Sequence, residues 1–153
     1  MAKKQFKSLT EMYNKFKDDA IATVNDIAPP IMKDSMVEAI KIEVYAKYDP
    51  SEYERRYNRC GLADKINMKH DLIITYKSVK IMLVNYAKGN SRVGDNSYEH
   101  IGDIIVSGQG YTWTRSEIYH TQLKRDFYTV TEELLKETNI LNEIKREMRR
   151  KGW

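Results

Sequence analysis

The residue types able to do chemistry are few in this chain, and their spacing is unfavourable. His70, His100 and His120 lie far apart and share no short spacing with Cys60 or with one another. Metal sites built from one segment place their ligands two to five residues apart, so no metal site is expected. Cys60 is the single thiol; no disulfide can form within the chain, and an idle thiol is commoner than a nucleophile. No Gly-x-Ser-x-Gly elbow is present. Gly108-Gln-Gly110 opens like a dinucleotide-binding loop, but no third glycine follows. Its simpler reading is a turn where glycine permits positive φ. Glu132 and Glu133 are adjacent, so they point to different sides of a helix and read better as favourable charges near its N-terminus. The expectation is a protein with no catalytic residues, no metal and no cofactor. A small hydrolase built on Cys60 is the remote alternative.

Interleaved aromatics and cations are the other candidate chemistry. Tyr53-Glu-Arg55-Arg56-Tyr57 could stack on bases. The simpler reading packs the tyrosines inward and pairs the arginines with Glu52, Glu54 and Asp64.

The elements that must position these residues read as an α+β chain. Ser8-Leu-Thr-Glu11 fits a capping box. From Leu9 to Ile27 apolar residues recur at spacings of three and four, a helix over roughly 9–28. Pro29-Pro30 is expected to end it. Pro30 can then open a second helix to about Ala46, with Met32, Met36, Val37, Ile40 and Val44 as its stripe. Asp49-Pro50-Ser51 reads as a turn, with a helical turn from Ser51 to Tyr57 and a reversal at Gly61. Period-two alternation across Leu72–Tyr76 and Val79–Tyr86 predicts a small, mainly antiparallel sheet, a hairpin at about 68–87 turning near Lys77-Ser78. Residues 88–97 form a polar loop. Residues 98–107 fit two readings: Tyr98, Ile101, Ile104 and Ile105 suit a short helix ended by Gly108, the favoured one, and Ile104-Ile105-Val106 alone suits a strand. Residues 127–150 predict one long C-terminal helix with a kink near Thr138-Asn139.

Length and charge bound the rest. At 153 residues the chain is expected to be one domain, 1–153, able to bury a core without staples. The net charge is +4, but residues 1–8 and 142–153 carry about +3 each, which leaves the middle slightly acidic. The basic ends, 1–8 and 148–153, are expected to be solvated and free to flex. Eleven Tyr against three Phe favours half-buried rings with a wet hydroxyl, as at protein–protein contacts. No apolar run suits a signal peptide or a membrane span, so a reducing cytoplasm is the expected folding environment.

Three segments go further. Tyr45-Ala-Lys-Tyr48-Asp-Pro50-Ser-Glu-Tyr53-Glu-Arg55-Arg56, followed by Gly61-Leu62-Ala-Asp64, resembles a run in tail-component proteins of bacteriophages and prophages. Ile104-Ile105-Val106-Ser-Gly108-Gln-Gly110-Tyr111-Thr-Trp113 is similar to their Ile-Ile-x-x-Gly-x-Gly-Tyr-x-Trp segment. Arg125-Asp126-Phe127, then Thr131-Glu-Glu-Leu134, resembles their Arg-Pro-Phe entry into the last helix, with Asp126 in place of proline. The resemblance spans about residues 45–153.

It implies a neck or tail-completion protein of a long-tailed phage, located in the virion and, during assembly, in the host cytoplasm. It also implies a homo-oligomer, a hexameric ring, between head-connector and tail-terminator or tail-tube proteins. Genomic DNA would cross its channel, and no membrane is involved. On this reading Tyr48, Pro50, Tyr53, Arg55, Arg56, Tyr57, Gly61, Asp64, Gly108, Gly110, Tyr111 and Trp113 set the fold or an interface. A small basic nucleic-acid-binding protein is the alternative.

Overall fold

The structure, a computed structural model, describes residues 4–47, 59–76, 78–88, 100–109 and 120–153. Among the described residues the element order is a long helix α1 (Leu9–Ile40), strands β1 (Met68–Ile74) and β2 (Val79–Asn85), a short helix α2 (Ile101–Ser107), and helices α3 (Phe127–Glu137) and α4 (Ile140–Arg150). The chain is therefore mixed, helices with a small two-stranded antiparallel sheet.

The capping box forms at the start of α1. The Ser8 hydroxyl accepts from the Glu11 N–H at 3.1 Å, and the Glu11 carboxylate accepts from the Lys7 N–H at 2.7 Å. Two N-terminal helices were expected, and the structure corrects this to one. Pro29 and Pro30 both lie inside α1. The reason is the phase of the apolar stripe. Val24, Ile27, Ala28, Ile31, Met32, Met36, Ala39 and Ile40 keep spacings of three and four straight through the prolines. A break would throw the second half off that face. The proline ring already holds a helical φ; what it removes is its own hydrogen bond, to the carbonyl four residues back. Those carbonyls belong to Asn25 and Asp26, both exposed, where water can serve them. The helix then continues as one π-helical turn, Lys41–Tyr45.

The hairpin pairs as the alternation demands, from Met68 against Asn85 to Ile74 against Val79. Its turn is tied by the Thr75 N–H donating to the Ser78 carbonyl at 2.8 Å and the Ser78 N–H donating to the Thr75 hydroxyl at 2.9 Å.

The single long C-terminal helix is also corrected. Thr138 is extended (φ −78°, ψ 154°), and its hydroxyl donates back to the Leu135 carbonyl at 2.7 Å. Asn139 then receives the first N–H groups of α4, from Asn142 and Glu143. A threonine side chain that bonds nearby backbone competes with helix propagation. Asp126 caps α3, accepting from the Thr129 N–H at 3.1 Å and from its hydroxyl at 2.7 Å. These bonds, the backbone one first, lower the pKa of its carboxyl.

The core lies between the second half of α1, the base of the hairpin and the start of α3. Met36, Ala39, Ile40, Val44, Leu62, Met68, Ala87 and Phe127 are buried there, with Ile101, Ile105, Tyr128 and Leu134 packed around them. The first half of α1 is more exposed and carries α4. Among the described residues no helix is long and apolar enough to cross a membrane.

Candidate functional site

Gly61-Leu-Ala-Asp64 forms a tight loop cross-braced by its own polar groups. The two Asp64 carboxylate oxygens accept from the Cys60 N–H at 2.9 Å and the Ile66 N–H at 3.1 Å. The Asn67 amide donates to the Gly61 carbonyl at 2.9 Å. Asp64 also caps the single 3-10 turn, Lys65–Asn67, that leads into β1. Cys60 takes φ +57° at the head of this loop, an uncommon conformation for a side chain with a Cβ.

This loop is fastened to the core at two points. The Ala63 N–H donates to the Tyr45 hydroxyl at 3.2 Å, which ties the loop to the π-helical turn. The Leu62 carbonyl accepts from the Asn85 side-chain amide at 2.7 Å. Asn85 is 2% exposed and stands on the core face of β2. Its side-chain carbonyl also accepts from the Ala87 N–H at 2.9 Å, and its backbone N–H donates to the Tyr128 hydroxyl at 3.2 Å. Burial pushes the Tyr128 phenol up, against the opposing effect of the bond from Asn85. The two bonds made by the Asn85 side chain are buried, where such groups need a partner within the fold.

Gly108 is another of the expected residues whose role is visible. It ends α2 at φ +71°, and its N–H donates to the Ile104 carbonyl at 2.9 Å. A Cβ there would lie 2.3 Å from the Gln122 carbonyl oxygen. Only glycine permits both the backbone angle and this approach of the next segment. The Arg125 N–H, donating to the Ile105 carbonyl at 3.0 Å, holds the same two segments together.

The structure thus joins the Gly-Leu-x-Asp loop to α3 through Asn85 and Tyr128, and places Gly108 at the end of a helix that packs on this core. Tyr48, Pro50, Tyr53, Arg55, Arg56, Tyr57, Gly110, Tyr111 and Trp113 lie outside the described residues. Sequence reasoning missed Asn85, although one signal was available: a polar residue in phase with Val79, Ile81 and Leu83 on the face that must be buried.

It also missed the meeting of the two basic ends on α1. The Trp153 indole N–H donates to Asp19 at 2.9 Å. Lys4 and Lys15 pair with the same carboxylate at 2.8 and 3.0 Å. Trp153 stacks on Phe6, meets Phe16 edge-on and lies under the Lys4 ammonium at 4.0 Å. Lys151 donates to the buried Thr23 hydroxyl at 2.8 Å. The bond from Lys4, then those from Trp153 and Lys15, hold the Asp19 carboxyl well below the usual carboxylate range.

Among the described residues no three of His, Cys, Asp and Glu converge as metal ligands would. His70 bonds the Asn25 side chain at 3.2 Å, bridging hairpin and helix. His100 meets the Tyr86 ring edge-on.

A family model described as YomN matches residues 6–150, nearly the whole chain. No curated protein and no solved structure matches it.

Proposed function

The chain belongs to the YomN family, a phage-associated family, and on that premise we propose that it is a structural part of the phage particle. The proposed place is the neck or tail-completion region of a long-tailed phage, as a hexameric ring joining the head connector to the tail. No catalytic activity is part of this proposal. The observation that carries it is the family match over residues 6–150, which spans both the Tyr45–Asp64 and Ile104–Trp113 segments that resemble phage tail components. The polar bracing of the Asp64 loop supports a fold-setting role for that segment. It keeps Leu62 buried.

The nucleic-acid-binding alternative draws less support from the ends than their charge suggested. Lys4 and Lys151 are bonded to α1, and Arg146 and Arg150 pair with Glu143 and Glu147 along α4. A cation already paired within the fold has less to give a phosphate.

Deleting the gene tests the role. A neck component is expected to leave filled heads and finished tails that fail to join. Normal infectious particles from the deletion would overturn the proposal.

A further inference from the structure

We propose that α4, with the residues after it up to Trp153, is an exchangeable arm, which leaves its seat on its own α1 and takes the same seat on α1 of a second copy of this chain. This deepens the ring reading and rests on it for the supply of adjacent copies.

The occupant is fixed by what already covers the seat. Phe6, just ahead of α1, and Phe16 on it hold the Trp153 ring, at centroid distances of 5.6 and 5.2 Å. The Trp153 indole N–H donates to Asp19 at 2.9 Å, and Lys151 donates to the Thr23 hydroxyl at 2.8 Å. An aromatic anchor in a ring-lined seat, rimmed by charge, has the make-up of a contact between subunits. A second copy carries the same anchor and the same seat, so each bond broken within one chain is remade between two. Passed from copy to copy in one direction, such arms close a ring.

The arm is separable from the body. No residue of Ile140–Arg150 is buried, and α4 rests chiefly on α1. The hydrophobic core takes no residue from α4 or from the first half of α1, so the arm can lift without opening it. Its joint is the extended residue Thr138, whose N–H and hydroxyl both donate to the Leu135 carbonyl. Hinges of this kind absorb their turn in a few residues at the end of an element. The seating depends on that bend. As bent, α4 half-buries Ile140, Ile144 and Met148 and leaves Leu141 71% exposed. A helix running straight on from α3 would continue the side of Phe127, Thr131 and Leu134 through Leu141, and would turn Ile140 and Ile144 away from α1. Rotation at Thr138 and Asn139 therefore decides whether α4 meets its own seat. Within one chain the arm competes at an effective concentration of about 1 mM, so exchange belongs where copies are crowded together.

Two variants that cannot close on themselves test the exchange by sedimentation. Phe16→Ala with Asp19→Ala spoils the seat and keeps the arm. Lys151→Ala with Trp153→Ala spoils the arm and keeps the seat. Each variant alone is expected to be monomeric. Their equimolar mixture should form a one-to-one pair with a dissociation constant below about 1 mM, the arm of the first lying on the seat of the second. None of the four residues belongs to the hydrophobic core, so each variant should still melt cooperatively. If one does not, Asp19→Asn and Trp153→Phe make the same mixture. A mixture that stays monomeric at about 1 mM, the range of the weakest specific contacts, would overturn the proposal. So would self-association of either variant as strong as that of the mixture, and both outcomes leave the ring reading standing. Pairing in the mixture by a chain missing from purified particles would uphold the exchange and remove the virion reading instead.

Discussion

Replacing Asn85 by leucine is the sharpest probe of how the Asp64 loop is held. Leucine has the branched shape and heavy-atom count of asparagine, somewhat more bulk, and no polar atom. Asn85 spans the Leu62 carbonyl at 2.7 Å and the Ala87 N–H at 2.9 Å. Leu62 is 4% exposed and Ala87 0%, so water cannot replace the lost partner. A buried backbone group left unpaired costs about 1–3 kcal/mol, so two cost about 2–6 kcal/mol. Against a total stability of about 5–15 kcal/mol this is a large share. Equilibrium unfolding in urea, with a slope of about 2 kcal/mol per molar, should show the midpoint falling by about 1–3 M. Asn85→Asp adds a control on mechanism. It keeps an acceptor for the Ala87 N–H and loses the donor to Leu62. A carboxyl buried there binds its proton more tightly folded than unfolded. Stability of this variant should therefore rise as pH falls through the elevated folded pKa. A midpoint shift under about 0.5 M for Asn85→Leu, roughly 1 kcal/mol, would refute the view that this residue holds the loop.

Other consequences are simpler. Gly108→Ala should destabilise the fold by about 2–4 kcal/mol, from its positive φ and a clash with the Gln122 backbone, measured by thermal melting. Gly102→Ala is the contrast: its added Cβ meets nothing closer than 3.6 Å, so melting should be unchanged or slightly raised. Asp126→Ala removes the cap of α3 and should cost about 1 kcal/mol in the same assay. The Asp19 carboxyl has a depressed folded pKa, so the clamp is complete above the ordinary carboxylate value of 3.8 and is lost only as pH falls below it. The indole N–H resonance of Trp153 should hold its position from pH 7 to about pH 4 and shift below that, whereas Asp19→Asn should abolish the shift.

What the sequence disclosed follows the range of the forces involved. The caps at Ser8, Asp126 and Gly108 act within four residues of themselves, and each was legible, whereas the approach of Gln122 to Gly108 was not. The hairpin was legible because its alternation records one buried face. Pro29-Pro30 misled because a local rule was set against a stripe that stays in phase across it. The break at Thr138-Asn139 was visible as a kink, but its depth depended on where α4 packs. Asn85 could have been singled out as a polar residue in an apolar register, yet its partners, Leu62 and Tyr128, are set by the tertiary fold. The bond from Trp153 to Asp19 spans nearly the whole chain, and nothing in either segment announces it.

Labelling purified particles with an antibody to this chain and viewing them by electron microscopy tests the central claim most directly. Label confined to the head–tail junction, on particles that also yield the chain by mass spectrometry, is the expected result. A chain absent from purified particles, or label scattered over capsid and tail, would contradict it.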